Sequence, residues 1–173
     1  MTRKLIVAAG LAAALAMSAG AAQAQSADKA SQKFITNAME GDYAEIDVGK
    51  LAQEKGQSQA VKDFGAKLVA DHSDNLDKAK QVAGQIGVKD PGGASFLDKA
   101  EYLKLKVMSG ASFDRTFAKD MVSDHKTTIK DFQKQAAKSG PVADFAKQSV
   151  PVLQEHLQMA QSLKQQSQTT GSK

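Results

Sequence analysis

The chain contains no cysteine and no tryptophan. Without thiols there is no disulfide framework, no cysteine nucleophile, no thiolate metal ligand and no cysteine to carry a lipid anchor. Aromatic residues are only 5% of the sequence and the phenylalanines fall on apolar stripes, so the stacking platforms that bind single-stranded nucleic acid are lacking. No strand-like alternation of apolar and polar residues appears between the helical segments, which excludes a β architecture. The glycines nowhere form a phosphate-cradling loop, and no serine sits in a strand-turn-helix elbow, so nucleotide-binding and serine-hydrolase readings both fail.

Long apolar runs are also scarce, with one exception at the start. Arg3 and Lys4 precede an apolar run from Leu5 to Met17, followed by small residues up to Ala22-Gln23-Ala24. This is the pattern of a secretory signal peptide, and it predicts residues 1–24 as a cleaved leader with the mature chain starting near Gln25. No later segment suits a transmembrane span. The expected location is the periplasm, free or associated with the outer membrane. Removing Arg3 and Lys4 leaves 21 basic against 19 acidic residues, so the formal charge of +4 falls to +2. That near balance, with lysines and acids interspersed at helical spacing, describes solvated helix faces and no nucleic-acid partner.

What remains is helical. Gly56 with Ser58, Gly87 with Pro91-Gly92-Gly93, and Gly140-Pro141 punctuate segments at 29–55, 58–86, 112–139 and 141–166, with a shorter helix at about 96–109. Ser95 with Asp98 resembles a capping box, and Ser112 is the expected cap of the third long helix. Two-to-three-residue joints make helices one and two an antiparallel hairpin, and likewise the last two. The long connection between the hairpins carries the short helix. Two hairpins joined this way predict an all-α, ferritin-like four-helix bundle over residues 25–166, with a disordered tail at 167–173.

The three histidines each follow an acid directly, as Asp71-His72, Asp124-His125 and Glu155-His156, near the middle of different long helices. His72 falls in the stripe Val61, Gly65, Leu68, His72, and His156 in the stripe Ser149, Val152, His156, Met159. His125 lies inward with Met121 and Phe132, and helix one contributes Glu45 from the stripe Ala38, Gly41, Glu45, Val48. One polar residue from every long helix then meets at the waist of the bundle. Glu45, His72, His125 and His156 are the candidate metal ligands, a nitrogen and oxygen set suited to one divalent transition metal: Zn, Fe, Mn or Cu. The adjacent acids point about 100° away and suit a supporting role. In the alternative, these are core histidines hydrogen-bonded to Glu45, aspartates or Tyr43, in a non-catalytic envelope or stress-associated interaction protein. Buried histidines without a strong carboxylate partner are expected below the ordinary imidazole pKa. Pro151, inside the last helix, is expected to distort it about a turn before His156.

Several blocks together resemble the domain-of-unknown-function 4142 family: Phe34 to Ala52 with Glu45, the Val-x-x-Phe to Asp-His block ending at His72, Ser109-Gly-Ala-Ser-Phe-Asp114, His125, and Val150-Pro-Val-Leu-Gln-Glu-His156-Leu. The resemblance implies an exported protein of ferritin-like fold, often labelled a predicted outer-membrane protein, and no established activity. Di-iron enzymes of that fold use Glu-x-x-His on two helices. Here the residues three before each histidine are Val69, Val122 and Leu153, so oxygen activation and iron mineralisation are disfavoured. Binding of a metal ion or small ligand is the leading reading, without turnover.

Overall fold

The computed structural model describes residues 28–169, and these form five helices: α1 Lys29–Lys55, α2 Gln59–Gln85, α3 Phe96–Lys106, α4 Gly110–Ala136 and α5 Pro141–Thr169. No helix among these residues is long and apolar enough to cross a membrane. The leader at 1–24 lies outside the described residues. Helix ends follow the local chemistry. Asp28 accepts the Ser31 amide at 2.7 Å to start α1, Ser58 accepts the Val61 amide to start α2, and the Ser95/Asp98 capping box starts α3. Gly87, at a φ of 73°, takes the left-handed conformation that ends α2.

Several boundaries differ from expectation, among them the end of α4, at Ala136 rather than 139. The N-cap of α4 is Ser109, so Ser112 lies inside the helix; the Phe113 amide already donates to the Ser109 carbonyl. Asp114 is occupied elsewhere: its carboxylate accepts the Gln57 and Ser58 amides, both at 2.9 Å, and ties the α1–α2 joint to α4. α3 stops at Lys106 rather than 109. α5 passes through Pro151 and continues to Thr169, beyond the expected 166; residues 170–173 lie outside the described residues.

α1 with α2 and α4 with α5 are antiparallel hairpins, joined by the long connection that carries α3. α1 and α2 approach until their backbones touch. A Cβ on Gly49 would lie 2.7 Å from the Gly65 carbonyl oxygen, and one on Gly65 2.6 Å from that of Gly49. The apolar core is split in two. One cluster, around Phe64, Leu68, Phe113 and Phe117, fills one end of the bundle; the other, around Ile35, Met39, Phe132 and Phe145, fills the opposite end. Across the bundle, the Phe64 ring of α2 and the Phe117 ring of α4 lie 5.8 Å apart. Between the two apolar ends lies a polar layer.

Candidate metal centre

The polar layer holds all three histidines, and each is buried. One ring nitrogen of each lies within 4.8 Å of one from both others. The ring centroids are 5.2 Å apart for His72 and His156, 5.4 Å for His125 and His156, and 6.0 Å for His72 and His125. The sequence-expected convergence of α2, α4 and α5 is thus present. Glu45 stands beside it rather than in it: its Oε1 is 3.7 Å from His125 Nδ1, and its Oε2 is buried without a partner.

Each imidazole has its outer nitrogen tied to an acceptor. His156 Nε2 lies 2.7 Å from Asp71 Oδ2, His125 Nδ1 lies 3.0 Å from the Met121 carbonyl, and His72 Nδ1 lies 2.8 Å from Asp42 Oδ1. A carbonyl or ionised carboxylate can only accept, so these outer nitrogens are the ones that carry hydrogen. Asp42 is itself held by the Asn75 amide at 3.0 and 2.9 Å, and Ser149 Oγ donates to Asn75 Oδ1 at 2.7 Å. Asp71 is anchored by Lys67 at 3.1 Å, which also reaches Glu155 at 3.2 Å. Acids adjacent in sequence to the histidines therefore act across helices: Asp71 of α2 supports His156 of α5, while Glu155 pairs with Lys67. Tyr43 donates to Asp90 instead of to a histidine.

Asp42 was not among the residues singled out from sequence. It lies one position off the Gly41 to Glu45 stripe, and only the approach of α2 shows what it faces. The signal available was its spacing: Asp42-x-x-Glu45 places two carboxylates one turn apart on one helix face.

The inner nitrogens are frustrated. His125 Nε2 and His156 Nδ1 lie 3.3 Å apart, yet with both outer nitrogens protonated neither has a hydrogen to give. Shifting the His156 proton to Nδ1 would satisfy that pair but turn a bare Nε2 toward the Asp71 carboxylate. Every neutral arrangement leaves two lone pairs opposed unless a cation lies between them. His72 Nε2, the third inner nitrogen, is buried with no partner at all.

Charge states reinforce this picture. Burial, with the neighbouring His72, pushes His125 down to about 4. Burial does the same to His156, to about 4, against the pull of Asp71. Both are neutral at pH 7 with lone pairs available. His72 departs from the expected depression. Burial opposes its charge, but the Asp42 hydrogen bond and the fields of Glu45, Asp42 and Asp71 outweigh burial and raise it. Burial raises the Glu45 carboxyl against the attraction of His72 and His156.

His72, His125 and Glu45 line a cavity of about 660 Å³ between α1, α3 and α4, and Asp98, Glu101 and Asp124 line it too. On the other side, the turn around Pro151 borders a small cavity of about 90 Å³ that reaches His72 and His156. Burial, followed by Glu101 and Glu45, raises Asp124 from 3.8 to about 7. A folded pKa above the unfolded one means that stability is fully present below the unfolded value and is lost as pH rises through the folded value. In metal-free protein, Asp124→Asn should therefore match the parent near pH 4 and gain progressively up to pH 7. Because Asp124 is partly solvated, the plateau above pH 7 should be about 1–2 kcal/mol, well under the full shift. Denaturant titrations of both proteins across this range measure it; an advantage that does not change with pH would contradict it.

The domain-of-unknown-function 4142 profile matches residues 16–163, and the chain belongs to that family. The fold is similar to that in the crystal structure of a DUF305 fragment from Deinococcus radiodurans, with a TM-score of 0.72 and 14% identity, covering 81% of this chain and 98% of the other. At that identity the likeness concerns the fold alone. No curated protein matches the chain.

Proposed function

We propose that this protein binds one divalent transition-metal ion through His72, His125 and His156, and that it does so in the cell envelope after export. The carrying observation is the set of three buried imidazoles whose outer nitrogens are each tied to an acceptor while the inner ones converge, His125 Nε2 and His156 Nδ1 3.3 Å apart and His72 Nε2 without a partner. Metal-binding histidines have that support: an acceptor on the far nitrogen fixes the ring and strengthens the donor. Tetrahedral bonds of about 2.0–2.1 Å place ligand nitrogens about 3.3–3.4 Å apart, the present separation of His125 and His156. His72 offers the third nitrogen, within 4.8 Å of the other two. The Glu45 carboxylate, with its Oε2 unpartnered, supplies negative charge beside it and is a candidate for a fourth ligand. Zinc, iron, manganese and copper all accept such donors. In the purely structural reading of the histidines, relief of the opposed lone pairs would require an extra proton between His125 and His156, in a site where burial disfavours charge on both.

The reading is one of binding rather than turnover, since Val69, Val122 and Leu153 stand where di-iron enzymes carry bridging carboxylates. The test is a zinc titration of tag-free protein by equilibrium dialysis. One ion per chain is expected, with none retained by His125→Leu and unaltered uptake by Lys50→Ala on the exposed side of α1. Equal uptake by parent and His125→Leu would reject the site. Asp71→Asn, which keeps an acceptor beside His156 but removes the charge, should weaken zinc affinity by roughly 10–100-fold, the usual effect of losing a supporting partner. The same dialysis at graded free zinc reads that shift.

A further inference from the structure

Four large apolar side chains are exposed among the described residues, and three belong to α3 and its C-cap: Phe96 at 83%, Leu103 at 58% and Val107 at 86%. Positions 96, 100, 103 and 107 follow steps of four, three and four residues, so with exposed Ala100 they form one stripe along the helix. Charge is partitioned as completely. Lys99, Lys104 and Lys106 are all exposed, with Lys99 and Lys106 on one edge of the stripe and Lys104 on the other. Both acids of α3, Asp98 and Glu101, turn inward to the large cavity, beside buried Leu105. The outer face thus carries two cations without a carboxylate partner, Lys99 and Lys106, on one edge of an apolar line about 16 Å long, while Lys104 on the other edge is paired with Asp120 of α4 at 2.9 Å.

We propose that this outer face of α3 seats the protein on an anionic lipid surface. A lysine-flanked apolar stripe on a short helix is the pattern of helices that lie in the membrane interface, with apolar side chains at the headgroup boundary and lysines reaching anionic phosphates. A protein partner is the weaker fit. Stable protein interfaces bury about 800 Å² on each side, far more than one convex stripe three side chains long offers. A lipid surface needs no complementary groove. The orientation also leaves the acid-lined cavity on the protein side of α3, so docking does not depend on the histidine site.

The absence of tryptophan supplies a clean test, because Phe96→Trp introduces a single reporter. With phosphatidylglycerol vesicles at low salt, its emission should shift to the blue and the full chain should co-sediment. With phosphatidylcholine vesicles both signals should fall at least tenfold. Phe96→Ser/Leu103→Ser/Val107→Ser, which alters exposed side chains only, should lose sedimentation by at least tenfold with its helical signal intact. Lys99→Glu/Lys106→Glu should lose the preference for phosphatidylglycerol. The proposal fails if the parent does not sediment with phosphatidylglycerol, or if the triple-serine variant sediments equally. It also fails if vesicles are ignored while light scattering shows a dimer that the serine variant abolishes, because the face would then meet a second copy of the chain.

Discussion

His156→Leu is expected to weaken zinc binding by more than about 100-fold, beyond what loss of a supporting partner does, while the protein stays folded. His156 provides the inner nitrogen that already sits 3.3 Å from His125, so its removal leaves two donors from α2 and α4 and no contribution from α5. It is also the mildest of the three histidines to remove. Leucine has a similar volume, and the stranded Asp71 keeps its ion pair with Lys67 at 3.1 Å. His72→Leu would instead strand Asp42, which is buried and left with Asn75 alone, at a cost of about 1–3 kcal/mol. A competitive titration against a chelator of known zinc affinity reads the change directly. Affinity within tenfold of the parent would remove His156 from the ligand set.

Gly65→Val should destabilise the protein by about 3 kcal/mol or more, at the upper end of what overpacking does. The reason is reciprocal. The Gly65 Cβ would meet the Gly49 carbonyl oxygen at 2.6 Å and Ala52 Cβ at 2.8 Å, and a backbone oxygen cannot step aside as a flexible side chain can. α1 and α2 would have to separate, and the separation would move Asp42 away from His72 and Asn75. Gly84, on the same helix, makes the contrast. A Cβ there meets nothing within 4 Å, so Gly84→Ala should stabilise by about 0.5–1 kcal/mol through helix propensity. Chemical denaturation of the two variants should give opposite signs. Equal and small effects would mean that the close helix contact does not exist in solution.

Much of this architecture is legible in the sequence. Gly56-x-Ser58 and Gly140-Pro141 bracket joints too short for anything but hairpins, and the long stretch between the hairpins implied the crossing connection. The inward placement of His72, His125 and His156 followed from helical periodicity, because a period of 3.6 assigns each residue a face. Periodicity does not say which residue of a neighbouring helix that face meets. Asp42, on the inner side of α1 beside the Glu45 stripe, meets His72 where α1 and α2 pack closely, and that packing is not written in the periodicity of either helix. The support of His156 by Asp71 is equally a matter of how two hairpins dock. Ser112 is not the cap because α4 begins earlier, with Ser109 at the N-cap position, whose side chain makes no capping bond, while Asp114 is drawn away to the α1–α2 joint.

X-ray absorption at the zinc edge, on tag-free protein loaded with one equivalent of zinc, tests the central claim most directly. Three imidazole nitrogens at about 2.0–2.1 Å, with the outer-shell scattering that imidazole rings give, are the expected coordination. The His156→Leu protein should show that imidazole scattering diminished or bind no zinc at all. A first shell of oxygens alone in the parent, without imidazole scattering, would place the metal elsewhere and contradict the histidine site.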